Sequence, residues 1–415
     1  MLKWADLRRE PFRLFFPLGI VFGCVGVGHW LVYALGWRTS YSGFYHASLQ
    51  VGTYMSCFIV GFLLTALPRF SATDPASSWE LASALGLVFA QASALWTQQW
   101  VAAEALWIGL LAFVAVFAGR RFARKQATVG PPTESVWIPI ALLLGALGTG
   151  LLMAGQLGLL PAWSLRIGTP MAQQAFLLGT VLGVGGFMAP RLMGREVLLV
   201  TPSGTHPEAA LAIRRRRIRL HGLAAVALST SFIVEGVGAT GLAYLLRATV
   251  VTAEFAWTSR FYRLPAAPDG YVKLLWVSIW MLMLGLWGAG LVPRYRVAML
   301  HLVFLGGFSL MTFAVGTMVV LSHAGEAQRL RQPLWVLRVV GLGVAGSLIA
   351  RLIAEARPAW FFPWLGVAAG CWMVAGISWL VFILPRVMRP LAPGAFEQVH
   401  EEAKRRLLKT SAAAL

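Results

Sequence analysis

The chain has 415 residues, 58% of them hydrophobic and only 12% charged, with a mean hydropathy of +0.71 and a formal net charge of +19. About a quarter of the residues of a soluble domain are charged, so a water-soluble fold and a disordered chain are both excluded, and the membrane must supply most of the solvent. Cys24, Cys57 and Cys371 lie inside apolar runs and make no CxxC pair, which excludes a disulfide scaffold and a cysteine metal framework.

A helix needs about 20 apolar residues to cross a bilayer. Twelve stretches qualify in chain order, near 12–36, 43–67, 78–99, 103–119, 136–158, 169–190, 218–237, 238–259, 271–292, 297–321, 333–354 and 359–385. The turns at Gln98–Glu104 and Gly236–Gly241 are the tightest. The alternation of an outer-membrane barrel is absent, and lipid leaves no other way to satisfy the backbone, so the reading is an all-α polytopic bundle. Residues 1–393 form the membrane domain. Residues 394–415 form a tail whose Phe396–Lys409 stretch has the charge pattern of an amphipathic surface helix. The first apolar run is too long for a signal peptide and reads as span one. No internal sequence repeat is apparent, and the long basic connection 191–219 divides the spans six plus six.

The basic residues give the orientation. With a cytoplasmic N-terminus, 25 of the 35 lysines and arginines fall on the cytoplasmic side and only 5 (Arg38, Arg166, Arg294, Arg296, Arg357) on the other. The positive-inside rule therefore places both termini in the cytoplasm. The net charge is a topogenic signal, not a nucleic-acid footprint.

Histidine is the informative polar residue. His206 and His400 sit in polar segments, whereas His29, His46, His221, His301 and His323 sit at span ends. His301 and His323, on span ten, are 22 residues apart, about 33 Å at 1.5 Å per residue, so they serve opposite faces and, at about 100° per residue, the same side of the helix. The topology sorts an outer set (His29, His46, His301) from an inner set (His221, His323). Two such imidazoles on neighbouring helices suit a b-type haem, and three suit copper, or haem plus copper. Each ring taken singly is as well explained by a hydrogen bond to a neighbouring helix. Glu235 and Glu254 are apolar-flanked carboxylates with the setting of proton-relay groups. Arg351 and Glu355, spaced i,i+4, should pair.

Four patches in order resemble the NnrS family: REPFRLFFPLGI (9–20), FYHASLQVGTYMSCFIVGFLLTALPRF (44–70), GGFMAPRLMGRE (185–196) and HLVFLGGFSLMTFAVGTMVVLSHAG (301–325). The resemblance implies a bacterial inner-membrane protein that holds haem and copper and serves nitric oxide metabolism and relief of nitrosative stress. His46, His301 and His323 match family histidines. His29 and His221 are added from topology, so the cofactor candidates are His46, His301, His323 and His221, and the metal candidates His29, His46 and His301. The chain departs from the pattern at the start of span two. There the family's His-x-His-Glu becomes His46, Ala47, Ser48 and Leu49, and two family arginines become Phe187 and Met318. That weakens the copper expectation and leaves haem b as the main one. No CxxCH or iron–sulfur motif is present, so electrons would come from a quinol or a partner cytochrome. Two other readings fit twelve spans: a secondary transporter, and a structural or assembly subunit of a larger respiratory complex.

Overall fold

A computed structural model describes residues 2–125, 131–195 and 207–390. Twelve long helices lie where the apolar stretches place them. In chain order the spans are Phe12–Ala34, Gly43–Ser71, Ser78–Trp96, Trp100–Ala123, Thr133–Gln156, Trp163–Leu192, Pro207–Gly236, Thr240–Thr258, Gly270–Leu291, Pro293–His323, Trp335–Ala356 and Pro358–Val387. Ten are long and apolar enough to cross a membrane unaided. The other two, spans three and eight, are 19-residue helices carrying Glu80, Arg247 and Glu254, which lower their hydropathy. Among the described residues there is no strand. Span seven begins at Pro207, not near 218, so Arg214 to Arg219 extend a helix and are not part of a loop. The expected tail and His206 lie outside the described residues.

The order of elements has a period of four. The second helix of each set of four is long and is interrupted by π-helix: Leu49–Met55 in span two, Met171–Ala175 in span six and Leu302–Ser309 in span ten. In the most apolar 18-residue stretch of these three spans, 83%, 72% and 72% of the residues are buried within the protein, against no more than 50% in any other of the ten apolar helices. They form the centre, and the remaining helices surround them. Span twelve packs back on span one and closes the ring.

Small residues let a surrounding helix approach a central one. An added Cβ at Gly148 of span five would lie 2.5 Å from the Ala172 backbone nitrogen, and one at Gly168 of span six 2.7 Å from the Gly148 carbonyl. Polar groups then fix the register, as expected where lipid gives apolar packing no advantage. The buried indoles of Trp372 and Trp379 on span twelve donate to Ser309 Oγ (2.9 Å) and Thr317 Oγ1 (2.8 Å) of span ten.

Candidate functional site

A cavity of about 730 Å³ opens between the three central helices, at the end of the bundle opposite the N-terminus. That size suits a cofactor-sized ligand. Each of the three π-helical stretches contributes to its wall: Gln50 and Tyr54 from span two, Gln173 and Gln174 from span six, and Phe304 and Ser309 from span ten. A π-turn widens a helix and re-aims the side chains after it, and such turns recur at functional sites.

His46 and His301 both line this cavity. His46 Nδ1 lies 2.9 Å from the Gly26 carbonyl of span one, and His301 Nδ1 lies 2.7 Å from the Val297 carbonyl one turn earlier. A carbonyl only accepts, so Nδ1 carries the proton in both rings and Nε2 keeps its lone pair. That is the tautomer and the support a metal-ligating histidine needs. The first contact is made at a glycine. A Cβ there would sit 2.3 Å from Gln50 Nε2 and 3.2 Å from Leu49 Cδ2, so a larger residue would displace the Gln50 side chain and press on Leu49 of span two.

His29 stands beside this pair. Its ring centroid is 5.9 Å from that of His46, and its Nδ1 also reaches the Gly26 carbonyl, at 3.0 Å. Its Nε2 is buried without a partner. Among the described residues, however, no three His, Cys, Asp or Glu side chains stand close enough together to hold a metal ion.

The cavity also carries charge. Arg166, Arg296, Arg351 and Glu235 line it. Glu235 accepts from Arg247 at 2.8 Å and from Arg296 at 2.9 Å, and Arg247 reaches Gln174 Oε1 at 2.6 Å. The expected Arg351–Glu355 pair forms, at 2.9 Å. Sequence reasoning singled out Glu235 but not Arg247, whose role shows only when spans six, seven and eight meet. Its position mid-span was the one available signal.

The remaining two candidate histidines lie elsewhere. His323 is at the other end of span ten. Its Nδ1 donates to Glu10 Oε1 (2.7 Å), and Arg69 Nη1 donates to its Nε2 (2.9 Å), so both ring nitrogens are engaged and the ring is neutral. Glu10 also accepts from Arg13 at 2.6 Å and from Arg69 at 3.2 Å. Burial would raise the Glu10 carboxyl, but the His323 bond and the Arg13 guanidinium together lower it to about 2. This cluster ties the N-terminal segment to spans two and ten. Between His301 and His323 lies the π-helical Leu302–Ser309, which does not turn by 100° per residue, so the phase of a regular α-helix does not apply across that interval.

His221 pairs with Glu254 at 2.8 Å, and Trp137 Nε1 also reaches Glu254, at 3.4 Å. The pair lies among spans five, seven and eight, and its residues are absent from the lining of the cavity that His46 and His301 share. Thus His46 and His301 share one cavity, His29 stands beside His46 without lining that cavity, and His221 and His323 lie in two other places.

No curated protein matches the chain. The family model for the NnrS protein matches residues 6–390. That match covers both histidine ends of span ten and every described span, so the chain belongs to the NnrS family.

Proposed function

We propose that this protein binds a b-type haem in the central cavity through His46 and His301 and serves nitric oxide metabolism in the bacterial inner membrane, with both termini cytoplasmic. One observation carries the reading. Two histidines from different central helices line one cavity, each with Nδ1 held by a backbone carbonyl and Nε2 left to ligate. The wall suits a flat macrocycle, with Trp30, Phe304 and Trp372 as aromatic surfaces and arginines for its carboxylates. Haem iron would supply the binding and reduction of nitric oxide, with electrons from an outside quinol or cytochrome. The protein's own residues hold the ring tautomers, shape the cavity and keep it among apolar helices.

Copper fits less well. Ala47, Ser48 and Leu49 offer no ring or carboxylate, and the three outer histidines do not converge as a ligand set. His221 and His323 belong to structural networks in this reading.

The test is the visible spectrum of the detergent-purified, haem-replete protein, oxidised and reduced. A Soret band that shifts on reduction is expected. A colourless protein would end this reading and favour the transporter or assembly-subunit roles.

A further inference from the structure

Six glutamates are buried among the described residues: Glu10, Glu80, Glu104, Glu134, Glu235 and Glu254. Five are held by an arginine or a histidine: Arg13, Arg121, Arg217, Arg247 and His221 respectively. Glu104, in the first turns of span four, is the exception. Its Oε1 accepts only from Gln156 Nε2 at 3.1 Å, and its Oε2 is buried with no partner. A carboxyl kept inside a membrane bundle without a cation is costly as a fixed charge, and proton relays are among the roles such groups serve.

The surroundings supply a route. Glu104 lines a chamber of about 30 Å³, room for about two or three waters by the ~10–15 Å³ each requires. The polar side chains that face the chamber from spans two, three, five and six are Ser48, Gln91, Thr149 and Gln173, and none is charged. Gln91 Oε1 is also buried without a partner, so a bridging water has at least two groups waiting for it. Ala47, Val51 and Gln173 line both this chamber and the His46–His301 cavity, so only a thin wall separates the two. On the other side, Gln156 is exposed and joins Glu104 to the water at that end of the bundle.

We propose that Glu104 is a proton-exchange group that feeds the His46–His301 cavity through this water-sized chamber. The carboxyl O–H gives its proton to a chamber water, which releases one toward Gln173 and the cavity. The Glu104 carboxylate then takes a proton back from water at the Gln156 side, and charge is restored. The destination rests on the haem reading above, whereas the exchangeable carboxyl does not.

Infrared difference spectra of the purified full chain, wild type minus Glu104→Gln, test it. Gln keeps the size and the hydrogen-bonding capacity, so the fold should hold. At neutral pH a protonated-carboxyl stretch is expected in the wild type. It should shift in D₂O, vanish in Glu104→Gln and return in Glu104→Asp. In the haem-loaded protein the midpoint potential should depend less on pH in Glu104→Gln than in the wild type. Absence of the band, a band unmoved by D₂O, or an unchanged potential–pH profile would each overturn the proposal. A protein that takes up no haem would end the delivery role, while the infrared result would still stand or fall alone.

Discussion

Span ten carries two histidines in opposite circumstances. His301 has one nitrogen on the Val297 carbonyl and the other facing a cavity. His323 has both nitrogens filled, by Glu10 and Arg69, beside the ring of Phe12 at 4.9 Å between centroids. The residue type is the same and the helix is the same. What separates them is partner number. A ring satisfied on both sides is a rivet between chain segments, and a ring satisfied on one side is an available ligand. The same contrast separates the glutamates: Glu235 is held by two arginines, and Glu104 by one amide alone.

This contrast can be broken in graded ways. The largest expected effect is on bound haem: His46→Ala should abolish it, read as loss of the Soret band at unchanged protein yield. Next comes Glu10→Ala, which leaves Arg13, Arg69 and His323 facing one another without their carboxylate. Removing one member of such a buried network costs about 3–5 kcal/mol, checked by thermal unfolding in detergent. Trp379→Ala should cost about as much, ~3–5 kcal/mol, by emptying the contact between spans ten and twelve. Gly168→Ala forces spans five and six apart and should cost about 1–3 kcal/mol. The smallest effect belongs to Arg329→Ala at the surface, where the bond to Glu326 is worth under about 1 kcal/mol.

The pH dependence sharpens the same contrast. The Glu10 carboxyl is lowered from 4.5 to about 2 in the folded protein. A depressed carboxyl contributes stability above its unfolded value, and that contribution is lost as pH falls through the folded value. The His323 end should therefore loosen between pH 4.5 and about 2, and Glu10→Gln should flatten unfolding temperature across that window. An unchanged profile in Glu10→Gln would show that the network does not hold this end.

Much of the fold was legible in the sequence because apolar length is a one-dimensional signal. Among the described residues twelve long helices match the twelve stretches, most within about four residues; span six begins six residues early, at Trp163, and span seven earlier still, where an Arg-rich segment continues a helix that hydropathy alone truncates. The repeat of four was invisible because it lies in helix length and π-turns, not in residue identity. The site was half legible. Topology put His29, His46 and His301 at one end, and the structure adds that His46 shares a cavity with His301 and lies beside His29. It could not show that His323 has two partners, since Glu10 is 313 positions away and Arg69 is 254. Glu104 passed as a turn residue because a missing cation is a fact of three dimensions.

The most direct test is the haem content of His301→Ala and His323→Ala, purified side by side with the wild type. The account predicts that His301→Ala loses the haem, while His323→Ala keeps it and unfolds at a lower temperature. Loss of haem from His323→Ala with retention in His301→Ala would contradict it and move the site to the N-terminal end of the bundle.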